Sequence, residues 1–157
     1  MARLRRRGVT HIDVAQGEKV APAARRHRLA RKIGLSVGGG RFAIGCAALA
    51  DPVAAIRLLG VDTATASRAA WLARMCAARD AALGAGTISS VASRRGQTSW
   101  LLAGAVADAG DAAAFALAVR SGRMDRTRGY LAVASGVLGA AAGLGSAVGM
   151  RQGRRRG

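Results

Sequence analysis

Six ionisable residues lie in the middle of segments that are otherwise apolar. Arg41 interrupts IGLSVGGGRFAIGCAALA; Arg74, Arg79 and Asp80 interrupt ASRAAWLARMCAARDAALGAG; Asp108 and Asp111 interrupt SWLLAGAVADAGDAAAFALAV. A charged group at the centre of a bilayer costs about 2.5–3.5 kcal/mol on insertion scales. Left unpaired, the six would oppose insertion by roughly 15–20 kcal/mol. Three are positive and three negative, so they can neutralise one another if the fold brings them to one depth. No other feature of the chain narrows its architecture as much.

Composition supplies the fold class. The chain has 157 residues, of which 38 are Ala and 22 Gly, a length suited to one domain. Aromatic residues make up 3%, too few for an ordinary soluble core, where they carry much of the burial. Prolines number two, runs of Val, Ile and Thr are absent, and Ala is the best helix former. The expected class is all-α: a membrane bundle of four transmembrane helices at about 33–50, 69–92, 99–119 and 130–150. A short interfacial helix should follow the first. Asp51-Pro52 caps and opens it, Val53 to Leu59 form it, and Gly60 closes it. Asp62-Thr63 signals the start of the next long helix. Trp100 and Tyr130 fit the aromatic belts at bilayer surfaces. The fourth segment, Tyr130 to Met150, carries no charge. Its Ser135, Gly139 and Gly143, with Gly136, Gly145 and Gly149, form small-x-x-x-small spacings suited to close helix contact. The first segment, only some 18 residues long and rich in Gly, sits near the lower limit for spanning roughly 30 Å. A three-span or re-entrant version would leave it uncrossed.

The charge is concentrated at the ends. Of the net charge of +17, residues 1–32 hold +8 and residues 151–157 hold +4. Residues 1–32 read as a basic, disordered cytoplasmic tail, residues 33–150 as the membrane domain and residues 151–157 as a basic C-terminal tail. The basic region is too long, and no clean apolar stretch precedes a small-residue cleavage site, so no secretory signal is expected. With both termini in the cytoplasm, sixteen Lys/Arg lie inside and six outside, as positive-inside topology prefers. Arg120, Arg123, Arg126 and Arg128, in the last loop, work against that arrangement. The expected location is the cell inner (plasma) membrane, multi-pass, with anionic lipid headgroups as partners of the arginine-rich tails. Basic arms also suit a soluble helical nucleic-acid binder. The uncharged fourth segment and the lack of aromatic stacking residues oppose that alternative.

Helix geometry places the six charges. At about 1.5 Å per residue, Arg41 falls near the middle of the first segment, Arg79 and Asp80 near the middle of the second, and Asp108 and Asp111 astride the middle of the third. Arg74 is about 7.5 Å from Arg79 along the axis. Asp108 and Asp111, three apart, share a face, whereas Asp80 points about 100° away from Arg79. The second helix can thus present Arg79 to one neighbour and Asp80 to another. The expected pairing joins Arg79 or Arg74 to Asp108 and Asp111, and Arg41 to Asp80. Such a cluster either fixes helix register and partner choice or marks a polar pocket for a ligand, ion or proton.

Little else carries chemistry. Cys46 and Cys76 each sit in an apolar segment and read as small hydrophobic residues. No Cys/His spacing suits zinc, and His11 and His27 form no constellation, so no cofactor or metal is expected. Asp108-x-x-Asp111 is compatible with a metal-dependent membrane enzyme. Ala112 and the lack of a later aspartate pair depart from the alcohol-phosphotransferase pattern, so the chain is not expected to be an enzyme.

Ala73-Arg74-Met75, Ala78-Arg79-Asp80-Ala81-Ala82-Leu83-Gly84 and Ala107-Asp108-Ala109-Gly110-Asp111-Ala112, with Gly40-Arg41-Phe42 and Asp51-Pro52 upstream, carry a resemblance. Over about Gly34 to Met150 the chain resembles an uncharacterised family of small bacterial four-helix integral membrane proteins, a domain of unknown function. The resemblance implies an all-helical membrane domain and no particular activity. The expected role is that of a small integral membrane protein whose Arg/Asp network fixes the bundle or lines a polar pocket. A transporter-like, proton- or ligand-handling role is the alternative; with so few spans it would need a homo-oligomer.

Overall fold

The computed structural model describes the backbone of residues 11–154 and the side chains between Arg25 and Gln152 other than His27. Five helices make up its regular structure: α1 His11–Ala50, α2 Pro52–Arg57, α3 Thr63–Ser93, α4 Gln97–Arg120 and α5 Arg126–Arg154. Among the described residues there is no strand.

Short polar side chains set the boundaries. The Asp51 carboxylate accepts the Ala54 amide at 2.9 Å, with Pro52 as the first helical residue of α2. Asp62 accepts the Thr65 amide at 3.0 Å and opens α3. Asp125, which the sequence reading did not single out, does the same for α5 through the Arg128 amide at 3.0 Å. Each cap satisfies an N–H that the helix itself leaves unpartnered. Gly60 turns the chain after α2 at φ +87, and a Cβ there would lie 2.9 Å from the Arg128 side chain. Arg128, in the first turn of α5, is thus folded over the α2–α3 turn.

Two expectations are corrected here. Helix α1 starts at His11, so residues 11–32 are helical and not the disordered tail expected; residues 1–10 lie outside the described residues. Five Ala and six Arg/Lys in this stretch favour a helix without giving it any apolar periodicity, although Gly17 and Pro22 lie within it. The shortfall in apolarity also falls elsewhere than expected. Arg28–Ala50, Gln97–Arg120 and Arg126–Gln152 are long and apolar enough to cross a membrane. The first of these gains its length from the backward extension of α1. The second long helix, α3, does not reach that apolarity, because Arg68, Arg74, Arg79 and Asp80 load it.

The long helices pack as two tight pairs, α1 with α3 and α4 with α5, and the pairs meet through α1–α5 and more thinly through α3–α4. Backbone contact is closest where side chains vanish. A Cβ on Gly84 would fall 2.5 Å from the Phe42 amide nitrogen, and one on Gly45 would fall 2.6 Å from that of Ala81. Inside and outside are reversed relative to a soluble domain. The buried positions are mostly small: Ala66, Ala70, Ala77, Ala105, Ala112, Ala132 and Ala147. Large side chains point outward, with Val106 73% and Leu138 70% exposed. Water would penalise such a surface, whereas in lipid small residues at helix contacts maximise packing. One end holds the well-packed core, formed by Ala30, Val91, Leu101, Ala147 and Met150.

Candidate functional site

At mid-depth the two helix pairs are joined by charge. Arg41 on α1 has a side chain only 9% exposed. It donates to Asp80 on α3 at 2.9 Å, contacts the Asp108 carboxylate on α4, and donates to the Gly104 carbonyl at 3.3 Å. Arg79 on α3 grips Asp111 on α4 with two parallel bonds, 2.6 and 3.2 Å. It also reaches the same Asp80 oxygen that Arg41 uses, at 3.2 Å. The result is a chain of alternating sign: Asp108, Arg41, Asp80, Arg79, Asp111. The forked Arg79–Asp111 geometry is the stronger kind of charged hydrogen bond, because two donors are aligned by one planar group.

The expected pairings of Arg41 with Asp80 and of Arg79 with Asp111 are present. Asp108 is taken by Arg41 and not by an arginine of α3. Arg74 corrects the expected set: it is exposed and makes no ion pair among the described residues. Axial distance alone suggested that it could reach. Five positions before Arg79, it points about 140° around the helix from it, away from α4. The network therefore has two guanidinium groups and three carboxylates, leaving one negative charge in excess.

Gly139 on α5 makes room for this arrangement. A Cβ there would lie 2.6 Å from Asp108 Oδ2, so no larger residue fits while the carboxylate stays in place. Gly136 and Gly143 likewise face α4, whereas Gly145 meets nothing within 4 Å. Part of the small-residue spacing on α5 thus serves the network, and part only faces outward.

The network is the floor of a cavity of about 880 Å³ between the two pairs. Its walls are apolar, from Ile44 on α1, Leu72 and Cys76 on α3, and Phe115 and Leu131 on α4 and α5. Leu58 and Leu59, just past α2, and Arg128 stand at its far end. All five network residues line it, and Arg74 does not. The size lies within the range of small-molecule sites, as does the combination of apolar walls with a few convergent polar groups. Sequence reasoning missed the cavity, which arises from how the helix pairs diverge and has no local signature. Among the described residues no group of His, Cys, Asp and Glu is arranged to hold a metal ion.

Comparison of the chain with family models, with curated proteins and with solved structures gives no match. The resemblance described above is carried by its quoted residues alone.

Proposed function

We propose that this chain is a small multi-pass membrane protein in which all four long helices cross the bilayer, and that it holds an apolar ligand in the cavity above its charged network. The observation that carries the reading is the condition of α3. Too polar to count as a span by composition, α3 has two of its three mid-segment charges met: Asp80 by Arg41 on α1, and Arg79 by Asp111 on α4, while Arg74 is exposed and makes no ion pair among the described residues. Pairing removes most of the penalty for placing such groups at bilayer depth. The network then has two roles at once. It fixes the register of the two pairs, and it gives the cavity a polar floor.

The preferred topology is multi-pass in the cell inner (plasma) membrane with both termini in the cytoplasm, following the sixteen-to-six distribution of Lys/Arg. Helix α2 then lies at the outer surface, and the arginines of α5's last turn meet anionic lipid inside.

Two cysteines test this reading. Cys76 lines the cavity, whereas Cys46 is exposed on α1 away from it. Alkylation needs the thiolate, which forms in water and not in lipid. In carbonate-washed membranes, N-ethylmaleimide should label Cys76 readily in the Cys46→Ala variant and leave Cys46 unlabelled in the Cys76→Ala variant. Release of the protein by carbonate would end the membrane reading. A Cys76 that reacts no faster than Cys46 would end the pocket reading.

A further inference from the structure

The charged residues that line the cavity balance, three arginines against three aspartates, but they sit at two levels. Arg41, Arg79, Asp80, Asp108 and Asp111 form the floor and are engaged with one another. Arg128 stands apart from them at the other end, beside Leu58 and Leu59. On α5 it precedes Gly139, which abuts the floor at Asp108, by eleven residues, and that interval is about 16 Å of helix. Half of a hydrocarbon core roughly 30 Å thick is about 15 Å. The cavity therefore runs from the membrane surface to mid-depth, which is the reach of one lipid chain in one leaflet. We infer that it holds an acyl chain of an anionic glycerophospholipid, whose phosphate accepts hydrogen bonds from the Arg128 guanidinium.

The walls and the mouth each point to this occupant. The cavity is open to its surroundings, with Ile44 and Leu131 on its walls each 68% exposed. With the helices in the bilayer, those surroundings are acyl chains. At the mouth, Arg128 makes no ion pair among the described residues. Its stem is placed by packing: Gly60, at φ +87, leaves room for it, and a Cβ there would lie 2.9 Å from Arg128 Cδ and Nη1. A guanidinium so held presents a planar set of donors that matches phosphate. The nearby loops and helix ends add Arg57, Arg68, Arg120, Arg123 and Arg126, against Asp51, Asp62 and Asp125. Each of those aspartates already accepts a helix-start amide, that of Arg128 itself in the case of Asp125. This positive rim favours a headgroup of net negative charge over a zwitterionic one. The arginines that work against the positive-inside preference thereby gain a ligand. Phosphate without a chain would leave the apolar walls uncovered.

This inference rests on the pocket reading above, and its test separates the two. The full-length protein, delipidated in detergent, is titrated with dioleoyl phosphatidylglycerol or dioleoyl phosphatidylcholine, which share the same chains. Native mass spectrometry counts the bound lipid. One phosphatidylglycerol should be retained, about tenfold or more tighter than phosphatidylcholine, as a charge-assisted hydrogen bond provides. Inorganic phosphate should not displace it.

Arg128→Gln is the decisive variant. The position is exposed, so the protein should fold, and it should hold both lipids equally and weakly. Arg123→Gln removes a charge from the same loop but outside the cavity, and should leave the preference largely intact. Leu72→Trp and Ile44→Trp fill the cavity from two different helices; whichever keeps the wild-type melting temperature should lose the retained lipid. In native membranes the lipid exchanges with the bilayer, so Cys76 still alkylates in the vacant fraction and stays ahead of Cys46. Equal binding of the two lipids, equal losses in Arg123→Gln and Arg128→Gln, displacement by inorganic phosphate, or retention in a filled variant overturns the lipid inference while the pocket stands. If no lipid is retained although Cys76 is reactive, the lipid inference again fails alone. If none is retained and Cys76 is unreactive, the pocket reading falls with it.

Discussion

The two ends of the molecule solve the helix-packing problem in opposite ways. At one end Ala30, Val91, Leu101, Ala147 and Met150 close the space between all four long helices, and the side chains of Met150, Leu101 and Val91 converge on Gly34. At the other, the α1–α3 and α4–α5 pairs each remain tight, but the space between the pairs is left to an apolar cavity. The charged network sits at the transition. There ion pairs join the two helix pairs, Arg41 and Arg79 of the first to Asp108 and Asp111 of the second. Within lipid there is little hydrophobic drive to close such a gap, since lipid tails are as apolar as leucine. An unfilled space is thus cheaper here than in a soluble protein, and a packed end supplies the rigidity that an open end forgoes.

The largest effect is expected at the junction between the ends. Arg41→Met leaves Asp108 without a partner at mid-depth and should destabilise the fold by about 3–5 kcal/mol, the usual result of breaking one side of a buried pair. Combining Arg41→Met with Asp108→Asn removes both members and should recover most of the loss. Thermal unfolding of the purified protein in one detergent measures both. A double variant as unstable as the single would mean that Arg41 matters through packing and not through charge.

The comparison between ends is tested next by two leucines. Leu101→Ala, at a side chain only 2% exposed, opens a void in the packed end and should cost about 2–4 kcal/mol. Leu72→Ala, on the cavity wall with 48% exposure, enlarges a space that already exists and should cost under about 0.5 kcal/mol. Similar losses at both sites would show that the open end is closed in the folded protein in lipid.

Glycines divide the same way on one helix. Gly139→Ala forces a methyl group against Asp108 and should destabilise by about 1–3 kcal/mol as overpacking does. Gly145→Ala, with nothing within 4 Å of the added carbon, should instead stabilise α5 by about 0.5–1 kcal/mol through lower backbone entropy in the unfolded chain. Equal effects would remove the link between α5 and the network.

How much of this could be read from residues depends on the range of the interaction involved. Asp51-Pro52 and Asp62-Thr63 act within one helical turn, and both starts were legible. So were the Arg41–Asp80 and Arg79–Asp111 pairs, because helix rise fixes depth and the 100° step separates Arg79 from Asp80. The same 100° step would have excluded Arg74 had angle been weighed beside reach. Asp125 was passed over as a cap because no apolar run follows it directly. The helical state of residues 11–32 was obscured for a different reason: a stretch with strong propensity and no apolar face gives no periodic signal. The cavity depends on the angle between helix pairs, a tertiary property to which no single residue type testifies. What the sequence did contain was its floor, since all five network residues were among the six singled out.

The smallest effect lies at the rim of the open end, where Asp62 opens α3. Hydrogen bonds from Thr65, through its hydroxyl and its amide, hold the Asp62 carboxyl below its ordinary value of 3.8. The folded state therefore binds this proton less readily than the unfolded chain does. Its contribution to stability is full above 3.8 and is lost as pH falls through that value toward the lower folded one. Asn at the same position also caps a helix but has no carboxyl to titrate. The melting temperatures of the wild type and Asp62→Asn, followed from neutral pH downward, should run in parallel above 3.8 and converge or cross below it as the wild type alone loses its ionised cap. Curves that stay parallel throughout would show that α3 is held by its packing against α1 with no help from its cap. The open end would then be anchored by helix contact alone, as the packed end is.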